Sequence, residues 1–333
     1  MRRILRWRRI AFIAIAGLVP TFVFWFREAD ETKGRFRRGV VLDVTADLYD
    51  DRSALPENQI LKGKSYAKGS HAFHLITQWY LPSNHTRTLE LLHALSLNVL
   101  NPHIDHIHLI QPPSPSLMDD PPFRYFTDIM PSFPFEAFLT KLVLVRASSA
   151  DRLLASDAFR HASARLRGDI VALANLDVYF DDSLRLVKSL DADLSFHIAY
   201  FLSRRGAPGP DGSLPDPDDN ECRWTPGVAF RGSHDAIVFV PPLPPSVIAT
   251  TNIELGSWGI ENRILWEFER AGIVGRNPCV DVKLWHVHGS GFKSKEMPVV
   301  NTGGKSSVAF PDTMMSGLKA DYPWEVGRAR AVQ

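Results

Sequence analysis

Asn175-Leu176-Asp177 closes an apolar run, Ile170 to Ala174, within the stretch GDIVALANLDVYFDDSL that covers residues 168 to 184. An amide and a carboxylate two residues apart at a strand end point to the same side. Together they can hold a hard divalent cation, and such a cation can bridge a diphosphate. Asp181 and Asp182 follow closely, and the plain alternative is a solvated turn with a helix cap. His286-Val287-His288 sets two imidazoles on one face of a strand because side chains alternate. Mixed carboxylate and imidazole ligation suits Mn2+, with Mg2+ as the other candidate, better than Ca2+. The candidate metal ligands are therefore Asp177, His286 and His288; a polar outer face on an edge strand would leave the same histidine pattern.

Proton transfer needs a different group. LGSWGIENR, residues 255 to 263, joins two glycines and a tryptophan to Glu261 at a predicted helix start. Glycine lets a ligand approach the backbone, and a carboxylate there can act as a general base. A helix N-terminus favoured by its dipole would also select glutamate. Asp235, in GSHDAIVF, is a second candidate base or a simple turn residue. Arg87, Arg146 and Arg204 are candidate donors to a diphosphate, where a fork of N–H groups suits phosphate oxygens; surface or packing arginines would read the same.

These residues need a scaffold, and the pattern of the chain predicts one. Strand signals cover HAFHLITQWY from residue 71, HIDHIHLI from 103, KLVLVRA from 141 and the quoted run at 170. Helical spacing runs through TRTLELLHALSLNVLN, with Leu89, Leu92, Leu95 and Val99 on one side, and through SADRLLASDAFRHASARLRG. Alternating strands and helices specify an α/β fold with a mixed sheet flanked by helices. Further on, DSLRLVKSL reads as a short helix, ADLSFHIAYFLSRR and HDAIVFVPPLPPSV as strands, GIENRILWEFERAGIVGRNP as a helix and VDVKLWHVHGSG as a last strand. Proline-rich residues 111 to 135 and the Gly, Pro and Asp of 206 to 220 are expected to be loops.

The chain has 333 residues, 45% apolar and 23% charged, with a net charge of +1. That balance suits a globular domain with a sizeable core and gives no basis for a nucleic-acid partner. The N-terminus differs. Five arginines in MRRILRWRRI precede the uncharged run Ile10–Phe26, which as a helix would rise roughly 26 Å, the short end of a membrane span. No small-residue cleavage site closes the run, and Trp25 and Phe26 suit an interfacial belt. The expected organisation is a cytosolic tail at 1–9, a signal anchor at 10–26, a stem at 27–70, a folded domain at 71–300 and a tail at 301–333. The basic N-terminus would stay in the cytosol, leaving a single-pass type II protein with a lumenal domain. Cys222 and Cys279 are a pair that could bridge in an oxidising compartment or stand as two thiols.

From about residue 71 to 294 the chain resembles a nucleotide-sugar-dependent glycosyltransferase of the GT-A fold. The likeness rests on NLDVYFDDSL, FLSRR, SHDAIVF, ENRILWEFERAGIVGRNP and LWHVHGSG in that order. WGIEN is also similar to an acceptor-side Trp-Gly-x-Glu-Asn motif of Golgi transferases. The resemblance implies a Rossmann-like GT-A domain behind an N-terminal transmembrane helix, in the Golgi or another endomembrane. Its activity would be metal-dependent transfer of a sugar to an acceptor hydroxyl, with inversion. Asp177 would bind the metal with Asn175 as the weaker partner, and His286 or His288 would complete the shell. Glu261 would face the acceptor, with Asn262 and Arg263 beside it. The implied partners are a nucleotide-sugar donor and a glycan, glycoprotein or glycolipid acceptor. Asn175, Leu176, His234 and Glu261 depart from the residues expected at those places. A non-catalytic sugar-nucleotide or glycan binder is the second reading, and a metal-dependent hydrolase the third.

Overall fold

The computed structural model describes residues 71–312, except 81, 83, 112–123, 147–152, 190–196, 213, 216–219, 224–232, 289–298 and 301–302, together with 22–24 and 41–43. Of the expected anchor only Phe22–Phe24 is therefore described. It forms a strand, β1, paired antiparallel with β2 (Val41–Asp43), where a helix end was expected. β-branched and aromatic residues in this short stretch suit a strand as well as a helix. No helix among the described residues is long and apolar enough to cross a membrane; the rest of the expected anchor lies outside them.

The domain opens with β3 (Phe73–Gln78), helix α1 (His85–Leu100) and β4 (His106–Gln111). Helices α2 (Arg124–Ile129) and α3 (Phe135–Lys141) then lead into β5 (Leu142–Arg146). Helix α4 (Ala155–Arg165) is followed by β6 (Ile170–Ala174) and the short β7 (Val178–Phe180). A 3-10 turn, Asp182–Leu184, runs into α5 (Arg185–Ser189), β8 (Ile198–Leu202) and β9 (Arg204–Ala207). Next come β10 (Ala236–Phe239), α6 (Pro245–Thr250), α7 (Ile260–Arg270), β11 (Val274–Arg276) and β12 (Leu284–Val287).

Seven strands form the central sheet, in the order β11-β8-β10-β6-β3-β4-β5. β3, β4, β5 and β6 run parallel, and β10 runs antiparallel between β6 and β8. This is the mixed α/β sheet that the strand–helix rhythm predicts. β6 shows why the pattern works: all five residues are buried, because helices cover both faces of a parallel sheet. Ile170, Ala172 and Ala174 join Leu91, Leu92 and Leu95 of α1 in one core, while Val171 and Leu173 join Phe159 of α4 and Phe268 of α7 in the other. Alternation along the strand thus sorts its side chains between two helical layers.

β3 sits centrally; the chain leaves it for β4 and β5 on one side and returns to β6 on the other. The carboxyl ends of β3 and β6 flank the point where strand order reverses, the usual ligand crevice of open α/β sheets. A second sheet, β7-β12-β9, stands next to that point. β12 lies in the expected last strand, whereas β7 and the second half of β9 escape a sequence reading because three or four residues carry too little periodicity. Helix α2 lies inside the expected loop 111–135, and α6 starts on a proline at the end of HDAIVFVPPLPPSV, a segment expected as a strand; there a missing N–H costs nothing.

Past residue 300 the chain still pairs with the body. Ser307 exchanges hydrogen bonds with Asn262, and Asp312 donates its N–H to the Asn277 carbonyl at 2.7 Å. Cys222 and Cys279 form a disulfide, with Cα atoms 5.9 Å apart, that ties the segment after β9 to the one before β12.

Candidate active site

Asp177 follows β6 by three residues and leads into β7. Its carbonyl accepts the Val287 N–H at 2.9 Å, and β12 pairs His286 with Val178. That register brings His286 Nε2 to 3.3 Å from Asp177 Oδ2. Helix α1 arrives from the other side. Asn84 caps it by accepting the Arg87 N–H at 3.2 Å, and Asn98 bonds the backbone of β7 in both directions, to the Val178 carbonyl and from the Phe180 N–H. With α1 fixed against β7, the Arg87 guanidinium donates to Asp177 Oδ2. It also donates to Glu90 Oε2 at 3.0 Å, the Val287 carbonyl at 3.3 Å and His288 Nδ1 at 3.4 Å. The His286 and His288 rings stack with centroids 5.3 Å apart.

Charge is strongly organised here. Burial works to raise the Asp177 pKa, but His286 and Arg87 outweigh it and hold the carboxyl well below the usual range. Burial likewise opposes the charge on Arg87, and Asp177, with Tyr80 and Glu90, outweighs it, raising the guanidinium further. Both side chains keep a little solvent access, 15% for Asp177 and 11% for Arg87.

A second cluster lies across the Asn175-Leu176-Asp177 turn. Asn175 Nδ2 donates to Asp235 Oδ1 at 3.0 Å, and its N–H bonds the Asp235 carbonyl at 3.1 Å. Asp235 also accepts Arg204 Nη1 at 3.1 and 3.0 Å and the Ser233 hydroxyl at 2.9 Å. Because β10 is antiparallel, the residue before it lands at the carboxyl end of β6; that placement depends on strand direction and has no local sequence signal. Glu261, in the first turn of α7, completes the cluster. Burial pushes its carboxyl up to about 8, the negative charge of Asp235 adds to the rise, and its own N–H and Arg204 oppose it. Protein packs around Glu261 while part of its surface stays open to solvent, the environment of a group at the floor of a recess. Gly259, at φ +81°, makes the left-handed entry to α7 that presents Glu261, a conformation costly for residues with a Cβ.

Other expected residues are engaged elsewhere. Consecutive positions on a helix diverge by about 100°, so when Glu261 faces the cluster its neighbours cannot. Asn262 holds the C-terminal segment through the Ser307 carbonyl at 3.1 Å. Arg263 pairs with Glu267 at 2.9 and 2.7 Å along its own helix. Arg146 ends β5, the edge strand on the opposite side of the sheet from β10. Glu90 and Ser233 belong to the clusters and were not foreseen. Glu90 could have been found from its i, i+3 spacing to Arg87, and Ser233 from standing two residues before Asp235.

The three expected metal ligands, Asp177, His286 and His288, come together here. The buried His288 Nε2, without a hydrogen-bond partner among the described residues, would suit a ligand. The other observations oppose a cation. The Arg87 guanidinium already sits on Asp177 Oδ2 and His288 Nδ1, so a dication would meet a fixed positive charge. Among the described residues no group of three His, Cys, Asp or Glu side chains is placed to hold an ion.

No family model matches the chain, and no curated protein matches it. Among solved structures it is similar to a mannosyltransferase, PcManGT from Pyrobaculum calidifontis, in complex with GDP-Man and Mn2+, at 15% identity and a TM-score of 0.39, covering 71% of this chain and 64% of that one. It is also similar to S. aureus TarS 1-349 in complex with UDP-GlcNAc, at 10% identity and 0.40, covering 66% and 59%. GalNAc-T7 with UDP, GalNAc and Mn2+ follows at 9% and 0.40, covering 68% and 45%. The chain thus spans roughly half to two thirds of the length of these structures, and likeness at such scores assigns it neither family nor chemistry.

Proposed function

We propose that the chain is a glycosyltransferase that moves a sugar from a nucleotide-sugar donor to an acceptor hydroxyl. The observation that carries this reading is the meeting, at the switch point of the sheet, of a guanidinium-rich cluster and a carboxyl of raised proton affinity. Cleaving a donor sugar from its diphosphate puts negative charge on the leaving oxygens, and fixed cations aimed there lower the barrier. Arg87 and Arg204 supply that charge on either side of the Asn175-Leu176-Asp177 turn.

The attacking hydroxyl must lose a proton. Asp235 is fully occupied by Asn175, Ser233 and Arg204, so it positions the cluster, and Glu261 is the carboxyl open to an acceptor. A base works best with a pKa near the working pH, and Glu261 lies close to that. A single displacement with Glu261 as base inverts the anomeric carbon. The donor is a nucleoside diphosphate sugar, and the acceptor a glycan, glycoprotein or glycolipid. Placement in an endomembrane lumen behind an N-terminal anchor is part of the proposal, supported by the Cys222–Cys279 bridge, since disulfides persist in oxidising compartments. A metal-dependent hydrolase draws no support from a site whose acidic side chain is paired with arginine.

The test is transfer from labelled UDP-, GDP- and CMP-sugars by the full chain and by Glu261→Gln. Gln mimics the protonated carboxyl, so the variant should keep its fold and its nucleotide binding while turnover falls about 10²- to 10⁴-fold. Equal turnover in both proteins would remove Glu261 as the base. Nucleotide binding with no transfer in the wild type would leave the non-catalytic binder.

A further inference from the structure

We propose that Arg87 is the fixed cation that receives the donor's diphosphate, so that this chain binds its nucleotide without a divalent metal; this rests on the glycosyltransferase reading above. Three observations lead there. The guanidinium lies where an ion held by Asp177 and the two histidines would lie, touching Asp177 Oδ2 directly and His288 Nδ1 at 3.4 Å. Glu90 at 3.0 Å and the Val287 carbonyl at 3.3 Å fix it further. The cation is thus built into the chain and oriented before any ligand arrives, the condition under which electrostatic stabilisation needs no rearrangement.

His288 supplies the third observation. A guanidinium only donates hydrogen bonds, so the His288 Nδ1 that faces Arg87 accepts. The neutral ring then carries its proton on Nε2, the atom that has no partner among the described residues. An N–H without an acceptor beside a guanidinium is a second donor suited to a phosphate oxygen. In this arrangement Asp177 orients Arg87 and balances its charge, the task a metal-binding carboxylate would otherwise perform on an ion. Asn175, in place of a further carboxylate, fits the same logic: Asp177 and Glu90 already balance Arg87, and the amide serves Asp235 at 3.0 Å.

The experiment uses the full chain stripped of metal with EDTA, titrated with UDP, GDP and CDP by calorimetry, with and without Mn2+. Mn2+ alone is titrated in parallel by its paramagnetic resonance signal. One nucleotide should bind the metal-free protein, and Mn2+ should change its affinity by less than about threefold. Arg87→Met should weaken it by about tenfold or more, and Arg87→Lys by less, because lysine keeps the charge and loses the fork. If Arg87→Met fails to fold, the metal-free wild-type titration decides alone. Nucleotide binding that requires Mn2+, together with Mn2+ binding that His286→Ala abolishes, would overturn this inference and leave the glycosyltransferase reading standing. No nucleotide binding under either condition would overturn both.

Discussion

Polar groups are buried at both ends of the central sheet, and the two ends handle charge in opposite ways. At the carboxyl end, Arg87, Asp177, Arg204 and Asp235 form two ion pairs that still touch solvent. At the amino end, three imidazoles form a nearly dry chain. His161 Nε2 lies 3.0 Å from His108 Nδ1, and His108 Nε2 lies 2.9 Å from His74 Nδ1. His74 Nε2 points to Asp169 at 3.3 Å, while the His106 ring stacks on His74 with centroids 5.0 Å apart. With every ring neutral and protonated on Nε2, both ring-to-ring contacts join a donor to an acceptor and no imidazole charge needs solvation. Ions kept within reach of water can meet a charged ligand, whereas a neutral chain sealed in the interior links its rings to one another and offers a ligand no charge. Buried polarity alone therefore does not mark a site; charge with residual access does.

The comparison can be broken by substitution. Asp177→Ala takes one of two carboxylate partners from a buried guanidinium and leaves Glu90, so the loss should fall below the about 3 to 5 kcal/mol of a fully orphaned buried charge, and nucleotide binding should be lost as well. Chemical denaturation and nucleotide titration check both effects; a stable variant that still binds would make the charged cluster ornamental. His108→Leu keeps volume but orphans a nitrogen on His74 and another on His161, which costs about 2 kcal/mol. Nucleotide binding should be unchanged, and a loss of binding in a folded His108→Leu protein would join the two ends functionally.

The pH dependence of stability sharpens the contrast. Burial, then the neighbouring imidazoles, push His108 well below its usual value; burial pushes His161 to about 4 with help from Arg165 and His74; burial also lowers His74 against the opposing pull of Asp169. The unfolded chain takes up protons near 6.5 that the folded chain refuses, so stability should fall as pH drops from 6.5 towards 4. His234, also lowered to about 4 by burial, adds to that limb, and His288, lowered by burial, works in the same direction. Glu261 does the reverse. Its folded value of about 8 lies above the ordinary 4.5, so the folded chain keeps a proton that the unfolded chain loses. Stability should fall as pH rises from 4.5 to 8. Denaturation midpoints across pH should show the alkaline limb disappear in Glu261→Gln and the acid limb shrink in His108→Leu.

Much of this architecture was legible beforehand, because buried parallel strands and amphipathic helices carry long apolar patterns. Ile170–Ala174 and the helix ending at Arg270 are the clearest cases. Asp177 was legible as a strand-end carboxylate. Its partner was not: Arg87 reaches it only because Asn98 docks α1 on a three-residue strand, a contact between positions 80 residues apart. The histidine chain was hidden for the same reason. His74 and His106 become neighbours through strand register, and His161 joins from a helix on the opposite end of a crossover. Asp235 was legible as a strand-edge carboxylate, but its place beside Asn175 required knowing that β10 reverses direction. Local patterns specify elements, whereas these groupings follow from how the elements meet.

The two-ended account is tested most directly by hydrogen–deuterium exchange of the full chain, with and without the nucleotide that binds it. Slower exchange is predicted in peptides covering residues 175–180, 233–236 and 284–288, with no change in 104–109 or 158–165. Protection confined to the histidine end, or protection at neither end under saturating nucleotide, would contradict it.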